Sequence, residues 1–284
     1  MGTSSSYGGP TGENPLLPDW APEPELEPET EPEQDDNQAE DDNDEVQNGD
    51  DLQSDPNETD WRRPKSNLSN HIRYRDSSDQ KHIKNAFRNF VKANGGSKAS
   101  TRSSYSGRKT AKNLGGFLSS VSRDYQQAFN ELGIDFNGKN THQILSELVD
   151  SICNGNNTRE DSIARDAAVD VLSDLFEDEN IEADDLAKFE NLDDDKLNTI
   201  VENYVSTYVY KRFMQVLASR LENNEISSED VLDIEWEIKD LIDSKTRGTF
   251  RKKDSTEINW RGDEGERVIN TIFNDVYEIM EVWE

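Results

Sequence analysis

Behind the initiator methionine, in the opening stretch MGTSSSYGGPTGENPLLPDW, stands the first residue equipped to do chemistry, Gly2. Removal of Met1 leaves Gly2 with an unhindered α-amine whose pKa of about 8 keeps a usable neutral fraction near neutral pH, far more than a lysine has. A neutral amine is a nucleophile toward an activated carbonyl. Thr3, Ser4, Ser5, Ser6 and Tyr7 follow, a run slim enough at its start to thread into a narrow pocket, and Leu16, Leu17 and Trp20 form a compact apolar stop able to dock outside it. Residues 1–20 therefore read as a partner-binding leader that presents Gly2 as an acceptor for modification. Gly2 and Ser6 also fit the pattern for N-myristoylation. One acyl chain binds membranes only marginally without a basic patch behind it, and here an acidic segment follows that repels an anionic surface.

The second chemically equipped group is cationic. Residues 1–60 hold 20 acidic and no basic residues, residues 61–114 hold 14 Lys and Arg against Asp76 and Asp79, and residues 115–284 return to a net charge of −22, within a total of −30. In the basic block Lys81, Lys84, Arg88, Lys92, Arg102, Arg108 and Lys109 stand on a background rich in Gly and Ser. Such a segment contacts phosphates without reading sequence, which makes these seven residues candidates for nucleic-acid binding. A third reading has the acidic segment fold back and mask the basic one.

Other chemistry finds no footing. His71, His82 and His142 are the only histidines, none belongs to a nucleophile motif, and they read as surface residues. Asp193, Asp194 and Asp195 are explained by capping a helix N-terminus. Cys153 is the only cysteine, so no internal disulfide can form and neither CxxC nor a Cys and His metal spacing can be built, and it reads as packing at a helix end in a protein of the reducing cytoplasm. Phosphate-binding, dinucleotide and calcium-loop spacings are missing from the sequence. The expectation is a protein that is not an enzyme, with no catalytic residue, metal or cofactor. No run of about 18 apolar residues suggests a membrane span, and no secretory signal opens the chain, which points to a cytoplasmic location.

The elements that must position these residues fall into four stretches. Residues 21–60 alternate Pro and Glu and then turn to Asp, Asn and Gln, a composition that cannot bury enough apolar surface to offset its ordering entropy; it reads as an extended, disordered acidic linker. Residues 61–116 read as basic and partly helical. Ile83, Phe87, Phe90 and Val91 lie at helical spacing, with Ser78 or Asp79 as cap and Gly95 as stop, and the following GGSKASTRSSYSGRKTAKNLGG reads as a mobile loop. Residues 117–284 read as a helical domain. One helix is expected from Leu114 through Leu132, closed by Gly133; others open at Thr141, at a Thr158 and Asp161 capping box, at Asp193 and at Ser228, and the last runs from about Gly265. The Ser228 stripe is Val231, Ile234, Ile238, Leu241 and Ile242. Alternation of period two is missing, so the fold class is all-α: a single helical domain behind a long disordered acidic N-terminal tail.

The stretches MGTSSSYGGP with NPLLPDW, NAFRNFVKANGGSKASTR continuing to RKTAKNLGGFL, ARDAAVDVLSDLFE, IVENYVSTYVYKRFMQVLASRLE and the terminal VWE resemble the QatB family, components of the Qat anti-phage defence system. The resemblance covers both ends and most of the helical part, and the acidic linker has no counterpart in it. It implies a prokaryotic defence component without a catalytic site, working beside an ATPase (QatA), an enzyme resembling 7-cyano-7-deazaguanine synthase or QueC (QatC) and a protein resembling TatD nucleases (QatD). An enzyme of the QatC type activates the carboxylate of a deazapurine with ATP and attacks it with ammonia. The N-terminal amine of Gly2 is the nearest protein equivalent of that nucleophile, so the resemblance points to deazapurine attachment at Gly2 through an amide.

Overall fold

A 29-residue helix with apolar residues on every side cannot lie on a surface, and Asp194–Glu222 organises the molecule accordingly. Leu197, Val201, Tyr204, Val205, Tyr208, Val209 and Phe213 are all buried along it. The computed structural model describes residues 61–74, 80–155, 158–222, 227–247 and 258–283. Gly2, the rest of the leader and the acidic linker expected over residues 21–60 lie outside the described residues, as do Ser78 and Asp79.

Among the described residues there are ten α-helices, one 3-10 helix and no strand. In chain order they are α1 (Arg62–Arg73), α2 (Lys81–Ala93), α3 (Ser97–Ser103), α4 (Tyr105–Val121), α5 (Tyr125–Glu131), α6 (Thr141–Cys153), α7 (Arg159–Asp178), the 3-10 helix Leu186–Asn191, α8 (Asp194–Glu222), α9 (Ser228–Thr246) and α10 (Asp263–Glu281). Helices α1, α4, α7 and α9 pack around α8, while α10 crosses α2, α3 and α4. The expected all-α fold with a single helical domain is what the described residues adopt.

Two aromatic clusters anchor the core. Phe117, Phe129, Phe176 and Phe189 meet edge to face with ring centroids 5.4–6.0 Å apart, joining α4, α5, α7 and the 3-10 helix. Phe87 stacks on Phe213 at 4.1 Å and lies 5.5 Å from Trp283, tying α2 to α8 and to the end of the chain.

Local chemistry sets most helix starts. Thr158 and Asp161 form the expected capping box on α7, with Asp161 N donating to Thr158 Oγ1 at 3.1 Å and Thr158 N to Asp161 Oδ2 at 2.8 Å. Asp193 Oδ1 accepts from Lys196 N at 2.9 Å, as expected of the acidic triplet. The caps of α6 and α9 are Asn140 and Ser227, one residue before the expected starts.

Three readings need correction. The expected mobile loop over residues 95–116 is α3 and most of α4, and α4 runs through the boundary set between residues 116 and 117. The single helix expected from Leu114 to Leu132 is broken at Ser122, because the Asp124 carboxylate accepts from Gln127 N at 2.9 Å and starts α5 afresh; Gly133 closes α5 at φ +72°, as its position suggested. His71 is buried rather than on the surface, its Nε2 lying 3.2 Å from Glu237 Oε2 of α9.

Candidate functional site

Six of the seven cations singled out in the sequence sit on two faces, and the seventh, Arg102, is exposed in the last turn of α3. On α2, Lys81, Lys84, Arg88 and Lys92 are spaced three or four residues apart and form one stripe, opposite the buried Ile83, Ala86, Phe87, Phe90 and Val91. Lys81 and Lys92 are exposed, whereas Arg88 is half-buried and donates to Asn85 Oδ1 at 2.6 Å. On α4, Arg108 and Lys109 share a face with Tyr105 and Lys112, positions one and two turns apart. Together with Asn113 and with Glu266, Ile269 and Asn270 of α10 they line a groove of about 240 Å³. Tyr105 at its rim is 63% exposed.

Much of this charge also stitches helices together. Arg108 Nη1 donates to Asn270 Oδ1 and Nη2 to the Arg102 carbonyl at 3.4 Å. Lys109 Nζ donates to the Asn154 carbonyl at 2.8 Å, beyond the C-terminus of α6, where a cation complements the helix dipole. Lys112 lies 3.9 Å from Glu266. No acidic residue occurs between positions 80 and 123, so the outward charge of α2, α3 and α4 is positive throughout.

What sequence reasoning missed is a polar network that makes helices of a Gly- and Ser-rich stretch. Such residues have weak helix propensity, and neither α3 nor α4 has a side-chain cap of its own. Carboxylates from distant helices supply the caps. Glu281 of α10 accepts from Ser97 N at 2.9 Å at the start of α3. Glu160 of α7 accepts from Ser106 N at 2.9 Å and Gly107 N at 3.1 Å at the start of α4, and from Tyr208 Oη at 2.8 Å. At the end of α3, Arg212 of α8 donates to the Ser100 carbonyl at 3.0 Å, to Ser104 Oγ, to Ser103 Oγ at 2.6 Å and to Tyr277 Oη at 3.1 Å. Each charge matches the helix end it faces.

The glycines of this stretch serve close approach. A Cβ on Gly107 would lie 2.5 Å from Tyr208 Cζ, and one on Gly115 2.6 Å from the Trp260 ring. Burial pushes the hydroxyl of Tyr208, and that of Tyr204 beside it, well above the usual tyrosine range. Both phenols stay protonated at neutral pH, and Tyr208 serves Glu160 as a donor.

Cys153, the last residue of α6, is half-buried, and burial pushes its thiol up to about 11. A thiol held so far above neutrality is a packing group rather than a nucleophile. Among the described residues, no cluster of His, Cys, Asp and Glu is arranged to hold a metal ion, and no helix is long and apolar enough to cross a membrane.

A family model described as Qat anti-phage system associated protein QatB matches residues 95–280. The match takes in Ser97, Glu160, Tyr208, Arg212 and Tyr277 of the network, and it runs from Gly95 nearly to the end of α10. No curated protein and no solved structure matches the chain.

Proposed function

This chain belongs to the QatB family of proteins associated with the Qat anti-phage system, and on that premise we propose that it is a non-catalytic component that binds a QueC-like (QatC) enzyme and presents Gly2 to it as the acceptor of a deazapurine. The observation that carries the reading is the leader itself: a small residue behind Met1, a slim polar run, and then Leu16, Leu17 and Trp20 as an anchor. In this reading the forty residues of acidic composition between leader and helical domain serve as a linker that gives the leader reach. In the reaction the neutral Gly2 amine attacks the activated carboxyl carbon. A C–N bond forms, the activating group leaves from the carbonyl, and the amine gives up a proton to yield the amide. The QatA-like ATPase and the QatD-like protein related to TatD nucleases are the further partners of the reading, and the cytoplasm is its location.

A bulky second residue keeps Met1 in place and obstructs the pocket. Gly2→Glu should therefore abolish phage protection while the protein is expressed normally and melts as before. Full protection by that variant would contradict the reading.

The groove between α4 and α10 favours a second reading, a nucleic-acid-binding adaptor. Its exposed tyrosine beside cations offers a base-stacking surface next to phosphate contacts. This reading expects single-stranded DNA or RNA to bind with an affinity that falls steeply with salt, and more tightly once residues 1–60 are removed. Absence of binding by the shortened chain at low salt would dismiss it.

A further inference from the structure

Helix α9 turns Ile234, Ile238, Leu241 and Ile242 inward and leaves two large apolar side chains outside. Leu232 is 66% exposed and Trp236, one turn further along, is 70% exposed. Trp260 and Trp283, by contrast, are buried. Tryptophan is a residue type enriched in binding anchors, and an exposed leucine one turn away extends it into a contiguous apolar patch of the kind that marks an interaction site.

The surroundings of the pair define that partner. Glu229 lies one turn before Leu232, Asp233 one turn before Trp236 and Asp240 one turn after it, all exposed. The same face of α9 continues through Lys239, Asp243 and Arg247, which line a cleft of about 310 Å³. Its opposite wall is α7, with Asp174 and Asp178, and Thr199 and Asn203 of α8 lie at its floor. The Asp174 carboxyl is held above the usual range by burial, and the carboxylates Asp170, Asp178 and Glu177 push in the same direction against Lys239. Within the cleft Lys196, Lys239 and Arg247 stand against Asp174, Asp178, Glu179 and Asp243, so its lining carries a small excess of carboxylates.

We propose that the outer face of α9, with the cleft it runs into, docks a basic amphipathic segment of another Qat component. Apolar residues of that segment cover Leu232 and Trp236, and its lysines or arginines face Glu229, Asp233, Asp240 and the α7 wall. Two nearer occupants lack the chemistry. The leader of this chain carries Glu13 and Asp19 and no Lys or Arg. The cationic stripe of α2 in a second copy has its apolar residues turned into its own core. The inference rests on membership in the Qat system and not on the Gly2 chemistry.

The test uses the full chain and the purified QatA-, QatC- and QatD-like proteins of its own system, in titrations at low and high salt. The double variant Leu232→Ser, Trp236→Ser should melt like the parent, since both side chains are exposed, and should bind the docking component about 30-fold more weakly, the loss expected for an anchor pair. Asp240→Lys with Glu229→Lys should weaken binding at low salt and flatten its salt dependence. Gly2→Glu should leave this affinity unchanged, which separates failure here from failure of the acceptor reading. Unchanged affinity in the double variant, no binding by any of the three components, or self-association of the chain that the double variant abolishes would each overturn the proposal.

Discussion

Cys153 shows how far one side chain can depart from what its type suggests. As the only thiol it invites a reactive role, yet burial at the end of α6 favours the neutral form and outweighs the opposing hydrogen bond with Thr110. A thiol pushed up to about 11 by burial carries about a hundredfold less thiolate at pH 8 than one at 9. Alkylation of the native chain at pH 8 should therefore be slower than alkylation of the urea-unfolded chain by about that factor, and equal rates would show an accessible, unshifted thiol. Between pH 9 and 11 the folded chain holds this proton while the unfolded chain releases it, so its contribution to stability is intact below pH 9 and is lost as pH rises toward 11. The sequence places Cys153 at a helix end, but burial depends on α4 lying against α6, which no local pattern reveals.

At the scale of elements, helices with their own apolar stripe and cap could be read directly. The α7 box and the Asp193 cap are local chemistry within three residues, and the structure keeps both. Helices α3 and α4 were illegible because their caps come from Glu281 and Glu160, 184 and up to 54 residues away in sequence. A Gly- and Ser-rich stretch looks mobile when such partners are out of view. Glu160→Ala should test this dependence. It uncaps two backbone donors of α4 and strips the Tyr208 hydroxyl of its acceptor, so a loss of about 2–4 kcal/mol is expected in urea unfolding. A loss below about 0.5 kcal/mol would mean that α4 holds its place without the carboxylate. The pair on α9 was open to view: Leu232 and Trp236 fall outside the stripe from Val231 to Ile242, and apolar residues off a buried stripe are the sequence signal of an unfilled face.

For the whole molecule, charge segregation was legible from composition alone: an acidic first 60 residues, a basic block and an acidic remainder. How the basic block is used was not. Its helices fold into the same domain as the acidic remainder, and several of its cations serve as ties to α6 and α10 while others face outward. The proposed acceptor role turns on the leader, whose chemistry rests on residue type and position rather than on packing. The most direct measurement is peptide mass spectrometry of the N-terminus of this chain, isolated with and without the co-expressed QueC-like enzyme. The account predicts a peptide beginning at Gly2 with added mass on its α-amine only when the enzyme is present, and none on Lys65 or Lys81. An unmodified Gly2, under conditions in which the system protects cells from phage, would contradict it.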